Sequence, residues 1–509
     1  MDMFTKIVSQ IMIPRQREIE QFTQCANDIQ HKQLDNLLSK AKQTEWGQKF
    51  HFGSIRTYAD FSHRLPLQTY DDIKPYVLRM INGEKNILWP SAVRWYAKSS
   101  GTTNDKSKFI PMTPEIRCAQ YRGGFDCVAL YLRNNPKSRF FSRKCLILGG
   151  SHNLSPLNRR AHYGDLSAVL IQNLNPVVNL MRVPKKQIIL MDEWESKIQA
   201  IVESSIGKDV NSLSGVPSWM LVLIKAILQK TGRQYLTDIW PNLEVYFHGG
   251  ISFEPYRDQY NSLIPSEQMH YMETYNASEG FFGIQDDPAD TALLLMPDYG
   301  IFYEFIPLNE LFETNNPTVL PLEAVETNRN YALVITTPGG LWRYIIGDTV
   351  RFTSVSPYKF VISGRTKHYL NAFGEELMVD NADKAIGQTC RETGAKVKEY
   401  TVAPFFMLNK AQGLHEWFIE FEKMPPSIPD FATLLDRHLQ ELNSDYEAKR
   451  YKEMSLQPPR IIVARENVFY DWLKEKGKLG GQHKIPRLSN NREQIEELLA
   501  FSARKPAKE

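Results

Sequence analysis

Residues 96–113 read Tyr-Ala-Lys-Ser-Ser-Gly-Thr-Thr-Asn-Asp-Lys-Ser-Lys-Phe-Ile-Pro-Met-Thr, and the rest of the chain is best read outward from them. Ser99, Ser100, Thr102 and Thr103 place four hydroxyls around Gly101, and Lys106 and Lys108 follow. A glycine lets backbone N–H groups approach a ligand closely, and successive N–H groups form an anion-binding concavity. The hydroxyls add short donors and the lysines add charge, so the run reads as a phosphate cradle. It reads equally well as a Ser/Thr-rich surface loop. It is not a Walker loop, because Gly-x-x-x-x-Gly-Lys-Ser/Thr is absent from the chain.

A chain of 509 residues allows two to four domains and a large core. Apolar content of 42% and charged content of 23% are those of a soluble globular protein. A net charge of +3 is too balanced to argue for nucleic acid or an anionic membrane as partner. The five cysteines (Cys25, Cys118, Cys127, Cys145 and Cys390) are odd in number and form no Cys-x-x-Cys pair. That usage fits reduced thiols in the cytoplasm and argues against a disulfide frame or zinc site. Asp2, Lys6 and Pro14 interrupt the start too early for a signal peptide. No stretch reaches the roughly 20 apolar residues that span a bilayer.

Ile19, Phe22, Ala26, Ile29, Leu37 and Leu38 fall near a helical stripe over 15–43. Ile116–Leu132 reads as a helix, which places the hydroxyl loop, across a short linker, ahead of a positive helix N-terminus. Cys145–Leu148 reads as a buried strand ending at Gly149-Gly150, and Glu193–Val202 and Trp219–Thr231 as helices. Strands are expected at Leu243–Phe247, His270–Tyr275, Ile301–Ile306 and Tyr331–Thr336. Strands alternating with helices point to an α/β sheet whose loops carry the site. Composition shifts after Gly364, so we expect domains at 1–364 and 365–509, the second a smaller α+β domain.

Four further segments carry chemistry. Tyr275-Asn276-Ala277-Ser278-Glu279-Gly280 places an aromatic, a hydroxyl and a carboxylate in an expected strand-to-helix turn. Tyr275 offers a π-face to a base, Ser278 a donor to a phosphate oxygen, and Glu279 an oxygen ligand to Mg²⁺. Taken singly, Glu279 reads better as a carboxylate favoured by a helix dipole. In Leu341-Trp342-Arg343-Tyr344-Ile345-Ile346-Gly347-Asp348 an Asp follows a glycine turn, placed to accept from ribose hydroxyls or to make an Asx turn. Ser363-Gly364-Arg365-Thr366-Lys367-His368 stands at the composition shift, where a hinge belongs. Gly480-Gly481-Gln482-His483-Lys484-Ile485-Pro486-Arg487 places a lysine after two glycines. Alone it reads as a solvated basic turn.

Ser-Ser-Gly-Thr-Thr, Tyr-x-x-Ser-Glu, Tyr-x-x-Gly-Asp, Gly-Arg-Thr and Gly-Gln-x-Lys-x-Pro-Arg, in this order from Ser99 to Arg487, resemble the Gretchen Hagen (auxin-responsive) acyl-acid amido synthetases. These belong to the acyl-adenylate-forming superfamily, and the chain looks like a short bacterial-type member. The resemblance implies a large N-terminal α/β domain with mixed sheets and a smaller mobile α+β C-terminal domain. It implies ATP and Mg²⁺ as cofactors, and a small carboxylic acid and an amine, such as an amino acid, as partners. Ser99, Ser100, Gly101, Thr102, Thr103 and Lys108 would hold the ATP phosphates, with Ser278 on the α-phosphate. Gly249, Gly250 and Tyr275 would line the adenine, Asp348 and Arg365 the ribose, and Glu279 the Mg²⁺. Lys484 would reach the reacting carboxylate. Asn104 and Asp105 depart from a loop that commonly has another glycine, and Ile345 stands where an arginine is frequent.

The implied reaction makes an acyl-AMP, which an amine then attacks. The absence of a Ser-His-Asp or Cys-His signal fits a reaction with no covalent enzyme intermediate. The base for the second step is open among His152, His162, His248 and His483, each near a glycine-rich segment. Transfer to coenzyme A, or a catalytically inactive nucleotide-binding homologue, are the competing readings. An acyl pocket is expected from helices between about Ala161 and Trp219, with Trp219 either its wall or a core residue.

Overall fold

The structure, a computed structural model, describes residues 2–99, 108–149, 155–158, 160–174, 179–191, 193–250, 253, 256–313, 317–366, 369–370, 372, 375, 377–406, 413–443, 446–447, 450, 456–479 and 485–504. Among them no helix is long and apolar enough to cross a membrane. None of the five cysteines is bridged.

The first helix, Met3–Glu20, opens at Asp2, whose carboxylate accepts from the Thr5 N–H at 2.9 Å. It begins well before residue 15, where the apolar stripe starts, and carries Pro14 inside it. The early turns give no stripe because Met3, Phe4, Ile7 and Ile11 are exposed, while Met12 and Ile19 are buried. A second helix, Phe22–Ala41, follows directly.

The larger of two compact units comprises residues 1–346 with 350–361. The division passes within two strands, Tyr344–Val355 and Tyr358–Arg365. Twelve strands form one sheet. At one end lie Arg182–Val183, Lys144–Ile147, Val210–Gly215, Val245–Gly249 and His270–Ala277, in that spatial order and all parallel. Then come Gly280–Ile284, Leu293–Leu295, Tyr358–Arg365, Tyr344–Val355, Asn330–Thr336, Phe302–Pro307 and Leu320–Pro321. The sheet turns antiparallel at the step from Ala277 to Gly280. The strand–helix alternation expected of the middle third therefore stops at that step.

Both faces of the parallel half are covered. Leu146, Leu213 and Tyr246 pack under helices Trp194–Ser205 and Pro217–Thr231. Val245 and Met272 meet Met12 and Ile19 of the first helix and Leu130 of helix Pro114–Asn134. Strands buried on both faces read as apolar runs, which is why their positions were legible. Trp219 packs edge-on against Trp194 at 5.7 Å beside the first of these clusters.

A smaller sheet orders Lys108–Pro111, Trp95–Ser99, His162–Gly164 and Ser155–Pro156. Ser99 pairs with Lys108, so the described ends flanking residues 100–107 lie side by side in an antiparallel ladder. The short linker expected between the hydroxyl loop and helix Pro114–Asn134 thus includes a strand.

The second unit takes Gly347–Thr349 and the described residues from Ile362 onward. Its sheet, Lys396–Phe406, Gly413–Lys423 and Arg460–Val463, packs with helices Val379–Thr393 and Ile428–Leu442 around Tyr400, Trp417, Phe431 and Leu435. This is an α+β unit.

Candidate functional site

Ser278 and Glu279 form the whole turn between strands His270–Ala277 and Gly280–Ile284. The segment is a β-hairpin, not the strand-to-helix turn expected of it, because Gly280-Phe-Phe-Gly-Ile continues as a fully buried strand. Helix Pro114–Asn134 fixes the hairpin from one side. Gln120 donates to the Ala277 carbonyl at 2.9 Å. A Cβ at Gly123 would lie 2.4 Å from the Phe281 ring, so only glycine lets the helix seat there. Ser278 and Glu279 are both buried, and the Ser278 hydroxyl makes no hydrogen bond among the described residues.

Lys108 enters the same region from the smaller sheet. Its Nζ donates to the Tyr344 hydroxyl at 3.3 Å and lies 5.8 Å from the Tyr70 ring centroid. Tyr70 in turn accepts from the Phe109 N–H at 2.7 Å. Burial raises the Tyr70 phenol above its ordinary value; the Phe109 N–H opposes this, and the charges of Asp71 and Glu279 add to it. Lys108 therefore lies over the Tyr70 ring, and the charge of Glu279 also acts on that tyrosine. Tyr70 lies outside every motif and carries no sequence signal for this site, whereas Tyr344 opens the Tyr-x-x-Gly-Asp motif without an assigned role.

Tyr275 is buried in the strand that leads to the turn, its ring 4.8 Å from Phe282 and 6.0 Å from Phe360. Gly249 ends strand Val245–Gly249, where a Cβ would meet the Thr274 carbonyl oxygen at 2.3 Å. Its lack of a side chain is thus required by the neighbouring strand. Gly250 follows with φ +84°.

In the second unit, Arg365 Nε donates to Asp348 Oδ1 at 2.8 Å. Gly347 has φ +93° but lies within a strand, and its carbonyl accepts from the Thr366 N–H at 2.9 Å. Asp348 is accordingly a strand residue tied to Arg365, not the tip of an Asx turn. Thr401 Oγ1 donates to the Pro486 carbonyl at 2.7 Å and Val402 N to the Arg487 carbonyl at 2.8 Å, anchoring the segment after residue 484. Ser100, Gly101, Thr102, Thr103 and Lys484, with His152, Lys367, Gly480, Gly481 and His483, lie outside the described residues, and only the backbone of Ser99 is described.

The Arg343 of the same motif has a different task. Its Nε donates to both carboxylate oxygens of Glu304 at 3.1 Å, and its Nη1 donates to the Ser62 and Leu65 carbonyls at 2.6 Å. Glu304 is fully buried and also accepts from the Tyr58 hydroxyl at 3.0 Å. The group clasps helix Tyr58–Arg64 to the sheet.

Family models for the GH3 family N-terminal domain, the GH3 family central domain and the GH3 family C-terminal domain match residues 15–269, 294–365 and 380–493. The chain belongs to the GH3 family. Among curated GH3 proteins, indole-3-acetic acid-amido synthetase GH3.3 of Arabidopsis thaliana is 24% identical, over 92% of this chain and 91% of that protein. The 4-substituted benzoates-glutamate ligase GH3.12 of Arabidopsis thaliana is 22% identical, over 93% of this chain and 94% of the other. The solved structure of GH3.15 acyl acid amido synthetase superposes with a TM-score of 0.77 at 18% identity, covering 97% of this chain and 98% of that one. This GH3 chain has the fold of the acyl-adenylate-forming enzymes, a large α/β unit followed by a smaller α+β unit.

Proposed function

We propose that this GH3 chain is a ligase that adenylates a small carboxylic acid with ATP and passes the acyl group to an amine such as an amino acid. The observation that carries this reading is the Ser278–Glu279 turn, where a buried hydroxyl without a hydrogen-bond partner among the described residues adjoins a buried carboxylate. A buried donor left unmade costs about 1–3 kcal/mol, and an α-phosphate oxygen would complete it. Lys108, between Tyr70 and Tyr344, adds a cation on the same side.

The remaining roles extend this reading. Ser99, Ser100, Gly101, Thr102 and Thr103 cradle the ATP phosphates, Gly249, Gly250 and Tyr275 lie along the adenine, and Asp348 and Arg365 take the ribose. Lys484 neutralises the α-phosphate as the acid's carboxylate attacks. The first step joins two anions, so positioning and charge neutralisation supply most of the acceleration. Among the described residues no cluster of three or more His, Cys, Asp or Glu forms a metal cage. A single carboxylate at Glu279 suits Mg²⁺, which is held mainly by phosphates and water with one or two protein ligands. When bound, the ion screens the phosphate charge. We take residues 365–509 as the smaller domain, and the five unbridged thiols fit the cytoplasm.

The curated relatives act on different acids, an indole acid and 4-substituted benzoates, so the acid is left at its class. The test is ATP–pyrophosphate exchange across aryl, indole and fatty acids, followed by product analysis with amino acids and with coenzyme A. Acid-dependent exchange and an amide product are expected. A thioester product makes the chain an acyl-CoA ligase; nucleotide binding without exchange makes it inactive.

A further inference from the structure

The proposed second step needs a base, and of the histidines near the glycine-rich segments the buried His248 is unsuited to the task. His248 is buried, stacked 4.2 Å from Phe253, and burial lowers its pKa to about 3, with the Arg257 charge assisting. His162 packs against the Trp95 ring at 5.1 Å. His152 and His483 lie outside the described residues.

A buried carboxylate lies beside the strand that leads to Ser99. Strand His162–Gly164 runs parallel to Trp95–Ser99, with Gly164 beside Ala97. The next residue, Asp165, therefore stands level with Lys98, at the same carboxyl end from which the hydroxyl loop departs. Asp165 is 5% exposed and precedes helix Leu166–Gln172, yet its side chain makes no capping bond to it. From a third element, helix Trp194–Ser205, the fully buried Lys197 donates through Nζ to the Gly149 carbonyl at 2.9 Å. Its charge acts on Asp165, as does that of Lys98. One buried carboxylate thus stands level with Lys98, the residue before Ser99, and feels the charge of a lysine that is bonded to the Gly149 carbonyl.

Resting on the ligase reading above, we propose that Asp165 is the general base of amide formation, accepting a proton from the ammonium group of the incoming amine. The free amine nitrogen then bonds to the acyl carbon. The carbon–oxygen bond to the phosphate breaks, AMP leaves with the electron pair, and the nitrogen gives its second proton to AMP or water. Burial pushes the Asp165 carboxyl up to about 7, against the pull of Lys197 and Lys98, where a base works best at neutral pH.

Asp165→Asn tests this on the full chain. Pyrophosphate exchange should stay within a few-fold of wild type, while amino-acid conjugation falls on the order of 100-fold or more. Hydroxylamine is already unprotonated at neutral pH and needs no base, so hydroxamate formation should persist. Loss of exchange in parallel, equal loss with hydroxylamine, or undiminished conjugation overturns the proposal. Wild-type protein that exchanges with no acid defeats the ligase reading, and the proposal falls with it. If the variant does not fold, the wild-type pH profile decides. Conjugation at saturating amino acid should level off above about 7; a continued rise of about tenfold per pH unit marks uncatalysed use of free amine and overturns the assignment.

Discussion

Arg365 Nε holds Asp348 Oδ1 at 2.8 Å, with the Asp348 side chain 10% exposed and the Arg365 side chain 45% exposed. The guanidinium orients a largely buried carboxylate from its solvent side, which preorganises an acceptor. Asp348→Ala should raise the apparent KM for ATP about tenfold or more, as expected for a hydrogen bond to a charged group worth about 1.5–3 kcal/mol. Steady-state kinetics with ATP and with a polyphosphate lacking ribose check this. Equal effects on both would remove Asp348 from the ribose.

Glu279→Gln keeps the shape of the turn and removes its charge. Adenylation at limiting Mg²⁺ should slow by about 30- to 1,000-fold, equivalent to roughly 2–4 kcal/mol. The thermal midpoint should change little, because the hairpin is held by Gln120 and its strand ladder. Unchanged exchange at limiting Mg²⁺ would refute the assignment.

Arg343→Met is expected to act on stability. It leaves Glu304 buried and short of its cationic partner, which should cost about 3–5 kcal/mol. The urea midpoint should fall while the ATP KM of the folded fraction stays near wild type. A variant of normal stability would contradict the clasp.

Asp165 also predicts a pH-dependent stability difference. Its folded pKa of about 7 lies above the ordinary 3.8, so the folded state binds the proton more tightly than the unfolded chain. The stability this provides is complete below about 3.8 and is lost as pH rises to about 7. Asparagine has no such loss. The variant should therefore gain on wild type between those limits, by at most about 4 kcal/mol at about 1.36 kcal/mol per unit, and level off above. Urea melts of both proteins across that window check it, and a constant difference would count against a buried titrating carboxylate.

What the sequence made legible follows from where its signals are local. Strands such as Lys144–Ile147 and Asn330–Thr336 show as apolar runs, and helix Pro217–Thr231 shows its stop at Gly232, φ +66°. Ser278 and Glu279 were recognisable by residue type and order. Their hairpin was not, because a buried strand and the first turn of a helix can share an apolar run such as Phe281-Phe282-Gly283-Ile284. Tyr70 meets Lys108 only through tertiary packing, and Asp165 gains its properties from burial within the charge field of Lys197; neither leaves a spacing to detect.

The seat of the Ser278–Glu279 hairpin on helix Pro114–Asn134 has a mechanical consequence. At Gly123 a hydrogen atom occupies the space that a methyl group would contest with the Phe281 ring at 2.4 Å. Phe281 is the second residue after Glu279 on the same short ribbon, so displacement of the ring is transmitted to the turn as a change of aim. The direction in which the carboxylate points is thus set from beneath, by a helix residue that touches no substrate. A substitution there would misalign the group without altering its charge.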